Sequence, residues 1–326
     1  MKDYRVRIRF RSRSITPLHS DTIFGQLCWV YRYSKGEQAL LRDVLEGYDE
    51  QPAFMVSDGF PADCLPLPRV PAVTEEEEIH LCREFRGSSA RDQYLLFLRK
   101  MKAVRKKEWI GCEGMTKLAM GLTPLKLARA MLAGVPDTSG AAEDKEELIP
   151  HNTINRLSGT VERGGGGFFH SRERLVQSRA FDVYIRTFVD WDVKFVTFLF
   201  SRLGEWGYGA DRSTGRGQFA VESASECILP TEGNAVMALS RFIPDSSLQE
   251  GWYTIETKYG KLGGPFSMGG AAYPKTPLLL LKPGAVFRVQ GTRPFYGQSV
   301  GAVHPGIRTV RQQTYLYPFF ISLREA

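Results

Sequence analysis

The first thirteen residues alternate between charged and apolar side chains, which is the two-residue period of a β-strand. Val6, Ile8 and Phe10 fall on one face of this strand. The other face carries arginines at every second position, namely Arg5, Arg7, Arg9, Arg11 and Arg13. The pattern predicts a strand with a cationic face and an apolar back. A solvated edge strand shielded by its charges also fits, although so many arginines in register exceed what an edge needs.

Helical spacing follows this strand. Ser20 and Asp21 are favoured N-cap residues, and apolar residues then recur at steps of three and four as far as Tyr31. Later in the chain an alternating strand at Ala180–Val189 precedes an apolar helix at Trp191–Trp206. Strands combined with amphipathic helices in this way predict an α+β fold.

Residues 61 to about 150 differ from their surroundings in composition. They contain several prolines, the acidic run Glu75–Glu78 and a basic helical stretch at Arg91–Lys107. We interpret them as a helical insertion, and we expect the basic helix to turn its apolar side chains inward, namely Leu95, Leu96, Leu98, Met101 and Val104. The charged runs fit solvated faces, or else a surface on which a partner docks. The small, acidic segment Asp137–Glu147 predicts a mobile loop.

Four consecutive glycines at positions 164–167 follow the segment His151–Gly159. Glycines in series cannot hold a stable strand or helix interior, because each loses more backbone entropy on folding than any other residue. They predict a flexible tip between two extended arms. The expected shape is a hairpin or finger over residues 151–170.

The segment Gly207–Phe219 combines glycines with Arg212, Ser213, Thr214 and Arg216. Glycines let backbone N–H groups approach phosphates closely, and arginines and hydroxyls add further donors. A dinucleotide-binding turn would follow a strand and open a helix, whereas this loop follows a helix, and the Gly-Lys-Ser/Thr ending of a P-loop is absent. The composition favours contact with a phosphodiester backbone, with a merely structural glycine turn as the other interpretation.

The chain of 326 residues has a formal net charge of +7, a modest indication of an anionic partner. Its five cysteines are scattered without a CxxC pair, which argues against a disulfide framework or a zinc site. No apolar run is long enough to span a membrane, and the N-terminus does not resemble a signal peptide. We therefore expect a cytoplasmic protein without a cofactor, a metal or a membrane partner.

A glycine-rich loop between the last helix and the last strand of a βαββαβ unit is typical of the repeat-associated mysterious proteins (RAMPs) of CRISPR systems. Within that superfamily the sequence resembles the family of the fourth subunit of the Csm (type III-A) effector complex. The segments that carry the resemblance span nearly the whole chain in order: 19–29, 151–156, 207–219, 239–242 and 279–284.

The resemblance implies two ferredoxin-like (RRM-like) domains, at 1–225 with the helical insertion and the finger, and at 226–326. It implies a non-catalytic subunit that holds the 5′ handle of the guide RNA (crRNA) and meets the target RNA indirectly. It also implies that the subunit joins the large palm-domain subunit to the backbone subunit of the Csm complex.

The candidate RNA-binding residues are chosen from the loop, the finger and the start of the first helix. In the loop they are Arg212, Ser213, Thr214, Gly215, Arg216 and Gly217. In the finger they are Arg156, Arg163 and Phe168, although Phe168 and Phe169 could equally be local core. His19 and Ser20 lie where the dipole of the first helix favours a phosphate, whereas Asp21 repels one, and Ser20 and Asp21 also fit a capping role. Lys258 and Lys261 complete the set.

Two other functions fit parts of the sequence. The first is a metal-independent RAMP endoribonuclease that processes precursor guide RNA, with His19 as the general acid or base for attack of a 2′-OH on the phosphate. The second is a scaffold subunit without RNA contact. The first would show as site-specific cleavage that depends on His19, and the second as co-purification with protein but not RNA.

Overall fold

The computed structural model describes residues 1–85, 89–133, 145–161, 167–175, 179–230, 232–248, 250–260, 276–298 and 316–319. The helices are α1 (Ser20–Lys35), α2 (Glu37–Leu40), α3 (Glu75–Arg83), α4 (Ala90–Val104), α5 (Cys112–Ala119), α6 (Pro124–Leu132) and α7 (Val193–Trp206). The strands before α7 are β1 (Lys2–Phe10), β2 (Phe54–Pro61), β3 (Cys64–Pro66), β4 (Trp109–Gly111), β5 (Lys145–Asn152), β6 (Phe168–Leu175) and β7 (Ala180–Thr187). Those after it are β8 (Phe219–Glu226), β9 (Ala235–Ala238), β10 (Gly251–Trp252), β11 (Ile255–Lys258), β12 (Leu278–Leu281), β13 (Val286–Arg288) and β14 (Leu316–Phe319).

The main sheet has four antiparallel strands in the order β2-β7-β1-β8. The predicted N-terminal strand is therefore present, but it is not an edge strand, because Val6 lies opposite Val183 on one side and Ala224 on the other. The elements of this unit follow one another as strand, helix, strand, strand, helix, strand. Helices α1 and α7 pack on the apolar face, where Val6 and Ile8 share a buried core with Leu199.

The start of α1 differs from the sequence expectation. Ser20 and Asp21 are the first two helical residues, and His19 takes the N-cap position without a capping side-chain hydrogen bond. The cap comes instead from β2, since the Ser20 N–H donates to Oδ1 of Asp58 at 2.9 Å. The carboxylate of Asp58, which is distant in the sequence, therefore caps the helix in place of a local side chain.

The insertion contains α3 to α6 and the short ladder between β3 and β4. Thr74 and Glu77 form a reciprocal capping box at the start of α3. In α4 the buried residues are Phe97 and Met101. The expectation that Leu95, Leu96 and Leu98 point inward is wrong, because all of them are exposed.

Strands β5 and β6 form the predicted hairpin, with Asn152 opposite Phe168. Its arms begin earlier than expected, because Lys145–Glu147 belongs to β5 and only residues 137–144 of the predicted loop lie outside the described chain. The turn also lies elsewhere, because Ile154 pairs with Val161 and the chain reverses between them. Of the glycine run, Gly167 follows this reversal, and residues 164–166 lie outside the described chain.

The C-terminal part forms a four-stranded antiparallel sheet in the order β10-β13-β9-β14 and a two-stranded ladder of β11 with β12. Among its described residues there is no helix, so only an α+β architecture is established for the chain as a whole. Met237 and Val286 pack against Tyr184 of the main sheet and Met115 of the insertion in one core. All five cysteines are free.

Candidate nucleic-acid interface

The loop between α7 and β8 adopts a conformation that requires glycine at several positions. Gly207, Gly209, Gly215 and Gly217 all have positive φ angles, from 72° to 84°. A Cβ atom on Gly217 would lie 2.0 Å from the Tyr208 carbonyl oxygen, and one on Gly209 would lie 2.4 Å from Cβ of Thr16. Gly215 has open space around it. Only glycine fits these conformations and close approaches without strain, so the predicted loop is a compact, ordered element.

Several backbone N–H groups of the loop already have acceptors within the protein. The Tyr208 N–H donates to the Gly217 carbonyl at 2.8 Å, and the Gly217 N–H donates to the Arg13 carbonyl at 2.8 Å. The Ala210 N–H donates to the Thr16 hydroxyl at 2.9 Å. The expectation that the loop amides hold phosphates therefore fails at these positions, and its side chains become the main donors for a ligand.

The two arginines of the loop differ in their surroundings. Arg216 donates from Nε to Oε1 of Glu173 at 2.9 Å, and Glu173 is 1% exposed. Arg212 is half-buried and has no ion-pair partner among the residues that the structure describes. Ser213 and Thr214 beside it are exposed. Arg212 is thus the loop cation available to an anionic ligand, while Arg216 is committed to the protein.

Glu173 joins the loop to the base of the hairpin. Its Oε1 accepts from Ser171 Oγ at 2.9 Å, and Nε2 of His151 lies 2.7 Å from that hydroxyl. Burial alone would raise the pKa of Glu173, but the hydrogen bonds from Arg216 and Ser171 hold this pKa below its usual range. Nearby, Arg13 Nη1 donates to Oε2 of Glu147 at 2.7 Å. The loop and hairpin base therefore form one connected polar surface.

The arginines of β1 also form ion pairs with acidic side chains of the protein. Arg7 donates from Nε to the fully buried Asp182 at 2.7 Å and from Nη2 to Asp63 at 2.6 Å. Arg5 also contacts Asp63, and Arg9 pairs with Glu222. The cationic face predicted from the alternation is thus largely neutralised by acids far away in the sequence.

His19 lies at the junction of the N-terminal and C-terminal parts. Nζ of Lys258 lies 3.3 Å from its Nδ1 and 3.0 Å from Oδ1 of Asp21. Burial, together with the neighbouring cations Arg241 and Lys258, lowers the pKa of His19 to about 3. His19 is therefore neutral at physiological pH, and Lys258 is engaged within the protein. Lys261 lies outside the described residues.

Ser20 is not placed to touch a ligand. It is fully buried, and its hydroxyl accepts from the Arg241 N–H at 3.0 Å. The N-terminus of α1 already holds an anion, because the Asp58 carboxylate accepts from Ser20 N–H and pairs with the Arg241 guanidinium. The expected phosphate site at this helix start is occupied by the protein's own carboxylate.

The hairpin carries an exposed apolar end. Phe168 is 60% exposed and Phe169 is 50% exposed, so neither is a core residue. Phe168 packs edge-on against His170, and Phe169 stacks on His151. Arg156 is exposed in the turn, whereas Arg163 lies outside the described residues. Phe168 is five residues from Glu173 along β6, roughly 17 Å at the usual strand rise, so the structure separates it from the loop.

A cavity of about 250 Å³ opens between the hairpin base, the insertion and the start of α1. Aromatic rings and arginines line it together, among them Phe10, Trp109, Phe181, Arg174, Arg179 and Arg241. Three residues that contact the candidate site residues are not predicted from the sequence, namely Glu173, Asp58 and Arg241. Arg241 lies in a segment that carries the family resemblance, but no signal in the sequence marks the two acids.

Neither a metal site nor a membrane-spanning helix is found in the described parts of the chain. No group of three His, Cys, Asp or Glu residues there could hold a metal ion. No helix there has the length and apolarity needed to cross a bilayer.

No family model matches the sequence, and no curated protein matches it. Solved structures do match. A chain of the Csm1–Csm4 cassette in complex with AMPPNP has a TM-score of 0.56 at 14% identity, over 100% of both chains. A chain of the cassette in complex with cA4 has a TM-score of 0.55 at 13% identity over 100% of both chains, and one in complex with pppApA has 0.54 at 13% over 99% of both. Over its whole length the chain therefore has the fold of chains from Csm1–Csm4 cassettes, which confirms at the level of the fold the resemblance that its motifs indicate.

Proposed function

We propose that the chain is the guide-RNA-binding and assembly subunit of a type III-A CRISPR effector complex, that it binds the 5′ handle, and that it is not a catalyst. The observation that carries the proposal is the Arg212 guanidinium. Arg212 is half-buried in the loop, has no ion-pair partner among the described residues, and lies beside exposed Ser213 and Thr214. The Arg212 guanidinium and the Ser213 hydroxyl can donate to RNA phosphates. The Thr214 hydroxyl already donates to the Asp211 carbonyl at 2.8 Å, so it can accept from a 2′-OH.

The arrangement of the first unit supports this proposal. Its order of strand, helix, strand, strand, helix, strand, with the sheet order β2-β7-β1-β8, is that of a ferredoxin-like domain. We assign the main sheet with α1 and α7 to such a domain and infer a second, divergent one at 226–326. The likeness to chains of Csm1–Csm4 cassettes supports assembly with a large subunit, and we propose a backbone subunit as the second protein partner.

The hairpin supplies the second contact in this proposal. Phe168 would stack on a splayed base of the guide or the guide–target duplex, with the exposed Arg156 near its phosphates. Aromatic stacking of this kind contributes roughly 1–3 kcal/mol per base. Because Phe168 is 60% exposed, the stacking surface is accessible without unfolding the hairpin.

The surroundings of His19 weigh against the endoribonuclease alternative. A general acid or base works best with a pKa near the operating pH, whereas the pKa of His19 is lowered to about 3. Its Nδ1 also faces the Lys258 ammonium at 3.3 Å. We expect the purified chain to leave repeat RNA intact, and site-specific cleavage that His19→Ala abolishes would overturn the non-catalytic assignment.

The proposal is tested by the RNA that accompanies the chain in cells. The full chain is co-expressed with the other subunits and a guide array and purified through a tag on this chain, and the bound RNA is sequenced. RNAs with one common 5′ end support handle binding. Recovery of protein partners without RNA would establish the scaffold alternative, and recovery of neither would overturn the assignment. We infer a cytoplasmic location from the same role.

A further inference from the structure

Helix α4 packs against the other helices of the insertion through one narrow face. Phe97 is 1% exposed and Met101 is 8% exposed, and both pack with Leu81 and Leu132 in a small core. Ser89 caps the helix, because its hydroxyl accepts from the Asp92 N–H at 3.1 Å. Gln93 adds a hydrogen bond from Nε2 to the Cys82 carbonyl at 2.9 Å. None of these contacts involves Tyr94, Leu95 or Leu98.

A stripe of apolar side chains lies beside this packed face and points to solvent. Tyr94 is 53% exposed, Leu95 is 42% exposed and Leu98 is 40% exposed. Their three- and four-residue spacing makes them neighbours on the helix surface. Single exposed leucines are ordinary, whereas a contiguous exposed apolar patch is typical of an interaction surface.

Cations border the stripe at both ends. Arg91 lies one turn before Leu95, and Lys102 and Arg105 follow Leu98 by one and two turns; all three are exposed. None of the three has an ion-pair partner among the residues described in the structure. We call these six residues the α4 stripe: Arg91, Tyr94, Leu95, Leu98, Lys102 and Arg105. Among the described residues no ion pair offsets its three cations.

The chemistry of the α4 stripe selects its partner. Tyr94 has a ring on which a nucleobase could stack, but the centre of the stripe is formed by Leu95 and Leu98, which bury well against other apolar side chains and offer no flat surface for stacking. Protein interfaces combine an apolar centre with a polar rim, and a cationic rim favours an anionic one by charge complementarity. We propose that the α4 stripe is a docking site for an acidic amphipathic helix of a protein partner, distinct from the glycine-rich loop and the hairpin.

The test uses the isolated full-length chain and two labelled synthetic peptides. In the first, leucines recur at steps of three and four between glutamates, so that they share one helical face. The second contains the same residues in an order that scatters the leucines. Fluorescence anisotropy measures the affinity of each, and a labelled single-stranded RNA oligonucleotide serves as a third probe. We expect the patterned peptide to bind more tightly than the scrambled one.

Neutral substitutions separate the apolar contact from charge attraction. The double variant Leu95→Ser with Leu98→Ser should bind the patterned peptide about tenfold more weakly or worse, because the two leucines that the peptide would bury are lost. Leu96→Ser is the matched control, since Leu96 is also exposed on α4 but lies about half a turn away from Leu98. Equal binding of both peptides, no peptide binding, or an equal loss in the control would overturn the proposal. RNA binding that depends on Leu95 and Leu98 would instead assign the stripe to RNA.

Discussion

The guanidinium of Arg216 donates from Nε, with Nη2 also at 2.9 Å, to Oε1 of a Glu173 carboxylate that is 1% exposed. This pair ties the glycine-rich loop to the base of the hairpin. Arg212 and Arg216 look equivalent in the sequence, but they differ in the structure, because Arg212 has no such partner among the described residues. The two should therefore respond differently to substitution.

Arg212→Ala should weaken guide-RNA retention without destabilising the chain. Loss of one phosphate contact lowers the slope of log affinity against log salt by roughly 0.7 for single-stranded RNA. Filter binding at several salt concentrations measures both quantities. An unchanged slope with unchanged affinity would remove Arg212 from the RNA site.

Arg216→Ala should act mainly on stability. The variant leaves the Glu173 carboxylate buried without its cation, which we expect to lower the free energy of unfolding by about 2–3 kcal/mol, somewhat less than for a fully buried pair. Chemical denaturation measures the loss, and adding Glu173→Gln should restore part of it. A loss of RNA retention at full stability would instead show that Arg216 contacts the ligand.

Features that depend on neighbouring residues are predicted well from the sequence. The period of two in β1, the helical spacing of α1 and α7 and the glycine-rich loop depend on neighbouring residues, and all are found close to their predicted bounds. The pairing of Arg216 with Glu173 and of Arg7 with Asp182 depends on partners brought together only by folding. No local pattern encodes those contacts.

The sequence predictions that are wrong depend on contacts between residues distant in the sequence. A helix start beginning at Ser20 suggests a local cap, but Asp58 reaches it from another strand. In α4 the leucines are as apolar as Phe97, and only the position of the neighbouring helix decides that Phe97 is buried. The glycine run at 164–167 suggests a turn there, but the pairing of Ile154 with Val161 reverses the chain before it.

Acid should destabilise the fold through His19. Its pKa is lowered to about 3 in the folded chain, whereas an unfolded histidine has a pKa near 6.5. The unfolded state therefore binds more protons below pH ~6.5, and stability falls as pH drops from there towards about 3, by up to ~1.4 kcal/mol per pH unit. Denaturation of wild-type and His19→Asn chains across this range measures the slope. The free energy of unfolding of the variant should depend less steeply on pH over this range.

Phe168→Ala should leave the melting temperature unchanged, because the ring is 60% exposed, yet reduce target-RNA engagement in the assembled complex. Leu148→Ala is the matched control, since Leu148 is 64% exposed on the same hairpin but four register pairs further from the turn. Thermal melts and target-binding assays separate the effects. A lower melting temperature would make Phe168 structural, and an equal defect in the control would argue against a stacking role.

Ultraviolet cross-linking of the assembled complex, followed by mass spectrometry of the protein–RNA adducts, tests the central claim directly. The loop Gly207–Phe219, with Arg212, Ser213 and Thr214, is proposed to contact the 5′ handle. The account predicts that adducts on this loop carry handle nucleotides and that Arg212→Ala reduces them. Adducts on the loop that carry only spacer nucleotides, or RNA adducts confined to other surfaces of the chain, would contradict it.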